Sequence, residues 1–352
     1  MGNDLRRLTV AVQRNCDISD ACYAGDYGLC TFLLKMREYY RWERGLPFSH
    51  TLSRDELGAW LDTRERAWND LEAEAFAPLP LAGGALDPFD ADTANRELLP
   101  QGCVYSAGYG RFRKPLFFLG RLLRIEERAG LTILISSREL ARELAAPPAM
   151  LQGRTVFVRM ESVRRYLWEK IEEWQLHKRA NAMARALASY DFDGDADEAL
   201  RRMADNEAES MILHEVGEAM AGERLGVAWQ EMTTAAARTR GEPALRAIRD
   251  LLADCLSTLP ALLARANPAA LHFHFACLDA PRRQMFPQAL EAYEEFLRDG
   301  TTHRLATVVN EGSERWLATA GELLALDPAS RESALYALLD NCEAQAGTAV
   351  IR

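Results

Sequence analysis

The chain has 352 residues, 48% of them apolar and 27% charged, which is enough for about two or three domains with a sizeable core. That balance excludes a disordered chain, a collagen-like chain and a small disulfide-stapled scaffold. Its 42 Lys and Arg against 52 Asp and Glu leave a formal charge of -10, which argues against a nucleic-acid partner or a general affinity for anionic lipid.

Residues 1–78 read as helical. The only apolar run near the start is Leu8–Val12, broken by Gln13 and Arg14, so no signal peptide and a cytoplasmic location are expected. From Tyr27 to Trp42 apolar residues recur at three and four, the period of an amphipathic helix, with Gly45 and Pro47 placed to end it. Ser53 followed by Glu56 makes a capping box for a second helix carrying Leu57, Trp60, Leu61 and Trp68. Residues 79–100, with Pro80, Pro88, Pro100 and the pair Gly83 and Gly84, read as a connecting loop. The period then changes. Val104–Tyr109, Leu116–Ile125, Leu131–Ile135 and Thr155–Val158 are short runs rich in β-branched and aromatic residues, with a hairpin turn at residues 126–130. They make 101–160 a β-rich insert. Residues 161–352 read as a helical domain. The fold class expected is therefore mainly α with a small β-rich insert (α+β) and a helical C-terminal half. The most apolar stretch, Cys255–Leu278, contains Pro260, Arg265, Asn267, Pro268 and two histidines, so no membrane span is expected.

Most catalytic signatures are missing. The seven cysteines, at 16, 22, 30, 103, 255, 277 and 342, include no C-x-x-C pair, which fits reduced thiols rather than a zinc ribbon. Gly108 and Gly110 are only a fragment of a dinucleotide fingerprint, followed by Arg111, Arg113 and Lys114 where a third glycine and a helix would be needed. No nucleotide motif is present. Asp191, Asp193, Asp195 and Asp197 resemble the start of a calcium loop, but Ala196 and Arg202 stand where Gly and Glu are required. They read as caps for the next helix.

That helix, expected over 195–225, is the informative one. At 100° per residue Leu200, Met203, Glu207, Met211, His214, Glu218, Ala221 and Leu225 share one stripe. Two carboxylates and an imidazole within an apolar stripe must pair with one another or hold a cation. The helix is not a zincin helix, because Glu218 stands where a second histidine would be needed. Carboxylate and imidazole ligands projecting inward from several helices are the pattern of iron and manganese proteins. Glu173 and His177, four apart, are a second candidate pair, and His272, Asp250 and Asp254 are further candidate ligands. Asn267 and Pro268 open a helix over Leu271–Phe275, so His272 and His274 point nearly opposite ways and at most one can join. In the N-terminal segment Asp17, Asp20, Asp26 and Tyr27 are candidates for a polar ligand pocket beside the aromatic helix.

The segments Asn15–Asp20, Ala24–Tyr27, Leu34–Glu43, Leu213–Glu218 and Leu271–Ala276 resemble those of an uncharacterised bacterial family typified by a Syntrophobacter locus. The resemblance spans the whole chain and brings no activity and no catalytic residue with it.

Two functions are expected from the residues. One is a metal-dependent helical protein using carboxylate and histidine ligands for Fe or Mn, with oxidoreductase chemistry. The other is a non-enzymatic interaction or scaffold protein, in which Glu207, His214 and Glu218 form a structural hydrogen-bonded cluster.

Overall fold

The computed structural model describes residues 2–110 and 113–349, with side chains for 4–110 and 113–339. Arg111 and the side chain of Cys342 lie outside the described residues. The chain divides into two compact units, Met1–Glu172 with Phe192–Ala208, and Glu173–Asp191 with Glu209–Arg352.

The first unit opens with three helices, α1 (Gly2–Tyr23), α2 (Leu29–Arg44) and α3 (Arg54–Asn69). Gly45 takes the left-handed conformation that closes α2 (φ 63°), and the Ser53 side chain accepts from the Glu56 N–H at the start of α3. The stretch read as a connecting loop carries structure of its own: a two-stranded hairpin, β1 (Leu79–Leu81) and β2 (Gly84–Leu86), and a helix, α4 (Ala91–Leu98). Its prolines mislead because Pro80 lies in a three-residue strand within a two-stranded sheet and Pro88 and Pro100 flank α4, positions where a missing N–H is tolerated.

The β-rich segment follows as β3 (Cys103–Tyr109), β4 (Pro115–Arg128), β5 (Leu131–Arg142), β6 (Ala149–Gln152) and β7 (Thr155–Arg159). They form one sheet in the order β3-β4-β5-β7-β6, antiparallel except for the parallel pair β5 and β7. Alternate side chains of β3 and β4 go to opposite faces. Tyr105, Phe117 and Leu119 pack with Leu8, Val12 and Cys16 of α1, while Val104 and Phe118 pack with Leu134 and Phe157. The β4–β5 hairpin closes through Ala129 and Gly130, both left-handed (φ 49° and 74°), the backbone of a type I′ turn. An alanine is strained there, so Ala129→Asn should stabilise the protein by about 0.5–1 kcal/mol. Chemical denaturation checks this, and an unchanged midpoint contradicts the turn assignment.

Helix α5 (Met160–Gln175) starts directly after β7, and a buried ion network ties the two together. Glu139 accepts from Arg159 Nη2 (2.9 Å), from the Ser162 N–H (3.1 Å) and from Ser162 Oγ (2.6 Å). Arg159 also donates to Glu143 (2.9 Å).

Helices continue with α6 (Ala182–Leu187) and α7 (Ala196–Ala235), whose helical path breaks at Gly226 (φ 74°). Asp195 Oδ1 accepts from the Glu198 N–H at the start of α7, so that aspartate is a cap. Then come α8 (Glu242–Ala253), a π-helical turn (Asp254–Thr258), α9 (Leu259–Leu263), α10 (Ala269–Cys277), α11 (Ala280–Met285), α12 (Pro287–Asp299), α13 (His303–Ala325) and α14 (Pro328–Ala349). The core of the second unit gathers Leu225, Trp229, Ile248, Leu252, Phe275, Tyr293 and Trp316. Among the described residues no helix is long and apolar enough to cross a membrane.

Candidate functional site

Among the described residues, one group of ligand-type side chains converges in the second unit. Its formation starts from a glycine. A Cβ on Gly217 would lie 2.4 Å from the carbonyl oxygen of Ala253, so only glycine lets α7 approach the end of α8 this closely. That approach sets His214 and Glu218, on one side of α7, against Asp250 of α8 and Asp254 of the π-helical turn. One ligand atom each from His214, Glu218 and Asp250 lies within 4.8 Å of the others.

Hydrogen bonds fix the orientation of these groups. His214 Nδ1 and Asp254 Oδ1 are 2.9 Å apart, which leaves Nε2 turned toward Glu218 (3.6 Å to Oε1). Asp254 is 1% exposed and also accepts from Arg282 Nη1 at 3.3 Å, with His274 Nε2 3.9 Å away. Arg249 Nη2 donates to both Glu218 (2.7 Å) and Asp250 (2.9 Å). Burial works against the charged form of His214, but Asp254 and Glu218 overcome it and hold the imidazole well above its ordinary 6.5. Burial likewise opposes ionised Asp254, and the side chains around it, His274, His214 and Arg282, reverse this, keeping the carboxyl well below its usual range. Burial lowers His274 to about 4 despite Asp254, so it is neutral at pH 7. Three cations, His214, Arg249 and Arg282, thus meet three carboxylates, Glu218, Asp250 and Asp254.

The other expected ligands lie elsewhere. Glu207 is 1% exposed and accepts from Asn206 Nδ2, and it is not part of the group. Glu173 and His177 are exposed, and α5 ends at Gln175, so the two do not share a helix face as their spacing suggested. His272 is buried with its Nδ1 2.8 Å from Tyr293 Oη. It is His274, on the other side of α10, that approaches Asp254. In the first unit Asp20 is fully buried, accepting from Lys114 Nζ (2.5 Å) and the Leu144 N–H (2.7 Å). Tyr27 lies beneath the same Lys114 ammonium. Asp17 accepts from Gln13 and faces Arg64 and Trp68, and burial, only partly offset by Arg64, raises it to about 6. Asp26 is exposed. Asp17 and Asp20 belong to α1 itself.

Residues 7–159 match the model of a family of unknown function (DUF6866), N-terminal domain, and residues 164–345 match the model of its C-terminal domain. No curated protein and no solved structure matches the chain.

Proposed function

The chain belongs to the DUF6866 family, and we propose that His214, Glu218 and Asp250 hold a divalent metal ion of the iron or manganese kind, making it a metal-dependent helical protein. The convergence of these three ligand atoms within 4.8 Å carries the reading. The bond from His214 Nδ1 to Asp254 supports it, because a carboxylate on one ring nitrogen orients the other toward a metal and raises its basicity. One imidazole with two carboxylates suits Fe(II) or Mn(II), and either ion would supply redox chemistry there. Two things stand where the ion would bind: the proton on His214 Nε2 and the Arg249 guanidinium. The arginine side chain is 31% exposed, so it can turn toward solvent. Binding therefore releases a proton and weakens as the pH falls.

The position of Arg249 also favours a second reading, in which its guanidinium is the permanent counter-ion and the group is structural. Melting curves with and without Fe(II), Mn(II) or Zn(II) separate the two. Under the metal reading the wild type gains about 2.7 kcal/mol at a hundredfold excess over the dissociation constant. His214→Ala, Glu218→Gln and Asp250→Asn lose that gain, and Arg249→Gln binds more tightly while being less stable without metal. An equal shift in all variants, or none in any, favours the structural reading.

A further inference from the structure

The first unit contains a cavity of about 280 Å³ between the end of α2, the loop after it, the end of β5 and the first turns of α5. Its volume is near the lower end of the ~300–1,000 Å³ common for small-molecule sites. Four arginines, Arg41, Arg142, Arg164 and Arg165, line it together with Trp42 and Phe48. We propose that this cavity binds a small aromatic anion, its carboxylate or phosphate held by Arg142 with Arg164 and Arg165 beside it and its ring lying against Trp42 and Phe48.

The argument starts from hydrogen bonds the protein leaves unmade. Arg142 is 2% exposed and Arg165 is 4% exposed, yet Arg142 Nη2 and Arg165 Nε, both buried, have no acceptor. A buried donor without an acceptor is costly, and a charged one more so. Arg142 is nonetheless held firmly: its guanidinium lies 5.4 Å from the Trp42 ring centre and 5.6 Å from that of Tyr39, and Glu139 Oε2 lies 3.7 Å from its Nη1. A guanidinium held against two rings is pre-organised to receive a planar oxyanion.

The two carboxylates that line the cavity are already committed. Glu38 accepts from Arg37 (2.7 Å) and Arg41 (3.2 Å), and Glu161 accepts from the Glu139 N–H (2.5 Å). The surplus positive charge is felt nearby. Burial, and after it repulsion from Arg165, lowers the Lys35 ammonium to about 8, with Arg142 adding to the effect against the pull of Glu169. The apolar wall belongs to the same site, since Arg41 lies 6.0 Å from the Phe48 ring centre and Phe48 packs 6.0 Å from Trp168. This site lies wholly in the first unit, so it is independent of the metal reading of the second.

Calorimetric titration of the full chain tests the proposal with benzoate, phenyl phosphate, benzamide and inorganic phosphate at about millimolar concentration. Benzoate or phenyl phosphate should bind one per chain, and whichever binds more tightly identifies the oxyanion as carboxylate or phosphate. Benzamide and inorganic phosphate should each bind at least about tenfold more weakly than the better aromatic anion. Arg142→Lys removes the planar fork and should weaken binding by about tenfold or more. Should that variant fail to fold, Arg164→Ala changes only a half-buried side chain and should weaken the aromatic anion while leaving the melting temperature unchanged. Binding of none of the probes overturns the proposal. So does equal affinity for benzamide and benzoate, or unchanged affinity in Arg164→Ala.

Discussion

Glu139→Gln should destabilise the protein by about 3–5 kcal/mol at neutral pH, because it leaves Arg159 in the interior without its main counter-charge. Arg159 is 3% exposed and Glu139 is 3% exposed, so neither charge can turn to water. Burial opposes ionised Glu139, but Arg159 and Arg142, with the bonds from Arg159 and Ser162, bring its carboxyl down from an ordinary 4.5 to about 2. A carboxyl lowered by folding stabilises the native state fully above its unfolded value and loses that contribution as the pH falls through the folded one. The gap between wild type and Glu139→Gln should accordingly be widest above pH 5 and shrink between about pH 4.5 and 2. Denaturation midpoints across that range check it. A gap that stays constant with pH would place the effect in packing rather than in the ion pair.

Asp254→Asn should cost about 2–4 kcal/mol, since it removes the carboxylate facing both His214 and Arg282 in a position 1% exposed. It should also bring the His214 imidazole down toward its ordinary 6.5, because Asp254 is the largest of the influences that raise it. A proton NMR titration of the His214 ring reads this directly. An imidazole that titrates unchanged in the variant would mean that Glu218 alone holds the proton. If the group takes a metal, the same variant should bind it about 10–100-fold more weakly, the usual effect of losing the partner that orients a ligating histidine.

The helical halves and the β-rich segment were legible in the sequence because each rests on a local period. The shift from three-and-four spacing to short runs of β-branched and aromatic residues from Val104 marks where the five-stranded sheet starts, and Ala129 and Gly130 turn the chain where the apolar runs break. The candidate site was legible in part. His214 and Glu218 share a helix stripe, and α7 does carry both toward one place. What a stripe cannot say is which part of it faces which neighbour. Glu207 lies in the part of α7 assigned to the first unit, while His214 and Glu218 lie in the second. The choice of Asp254 and His274 over Glu173, His177 and His272 is a matter of tertiary packing. It depends on the close approach at Gly217 and on the π-helical turn that begins at Asp254. Gly217, between Val216 and Glu218 in the sequence, was the one local sign of that approach. Arg249 gave no signal at all, since an arginine beside an aspartate on a helix is ordinary, and only the three-dimensional structure places it across Glu218 and Asp250.

The most direct measurement is electron paramagnetic resonance of Mn(II) titrated into the chelator-treated full chain, which counts bound ions by the loss of the free-ion signal. The metal reading predicts one ion bound per chain in the wild type, tighter binding in Arg249→Gln, and none in the Glu218→Gln, Asp250→Asn double variant at the same concentrations. A free-ion signal undiminished by the wild type and by Arg249→Gln alike would contradict it, and would leave the Arg249 guanidinium as the standing counter-ion of Glu218 and Asp250.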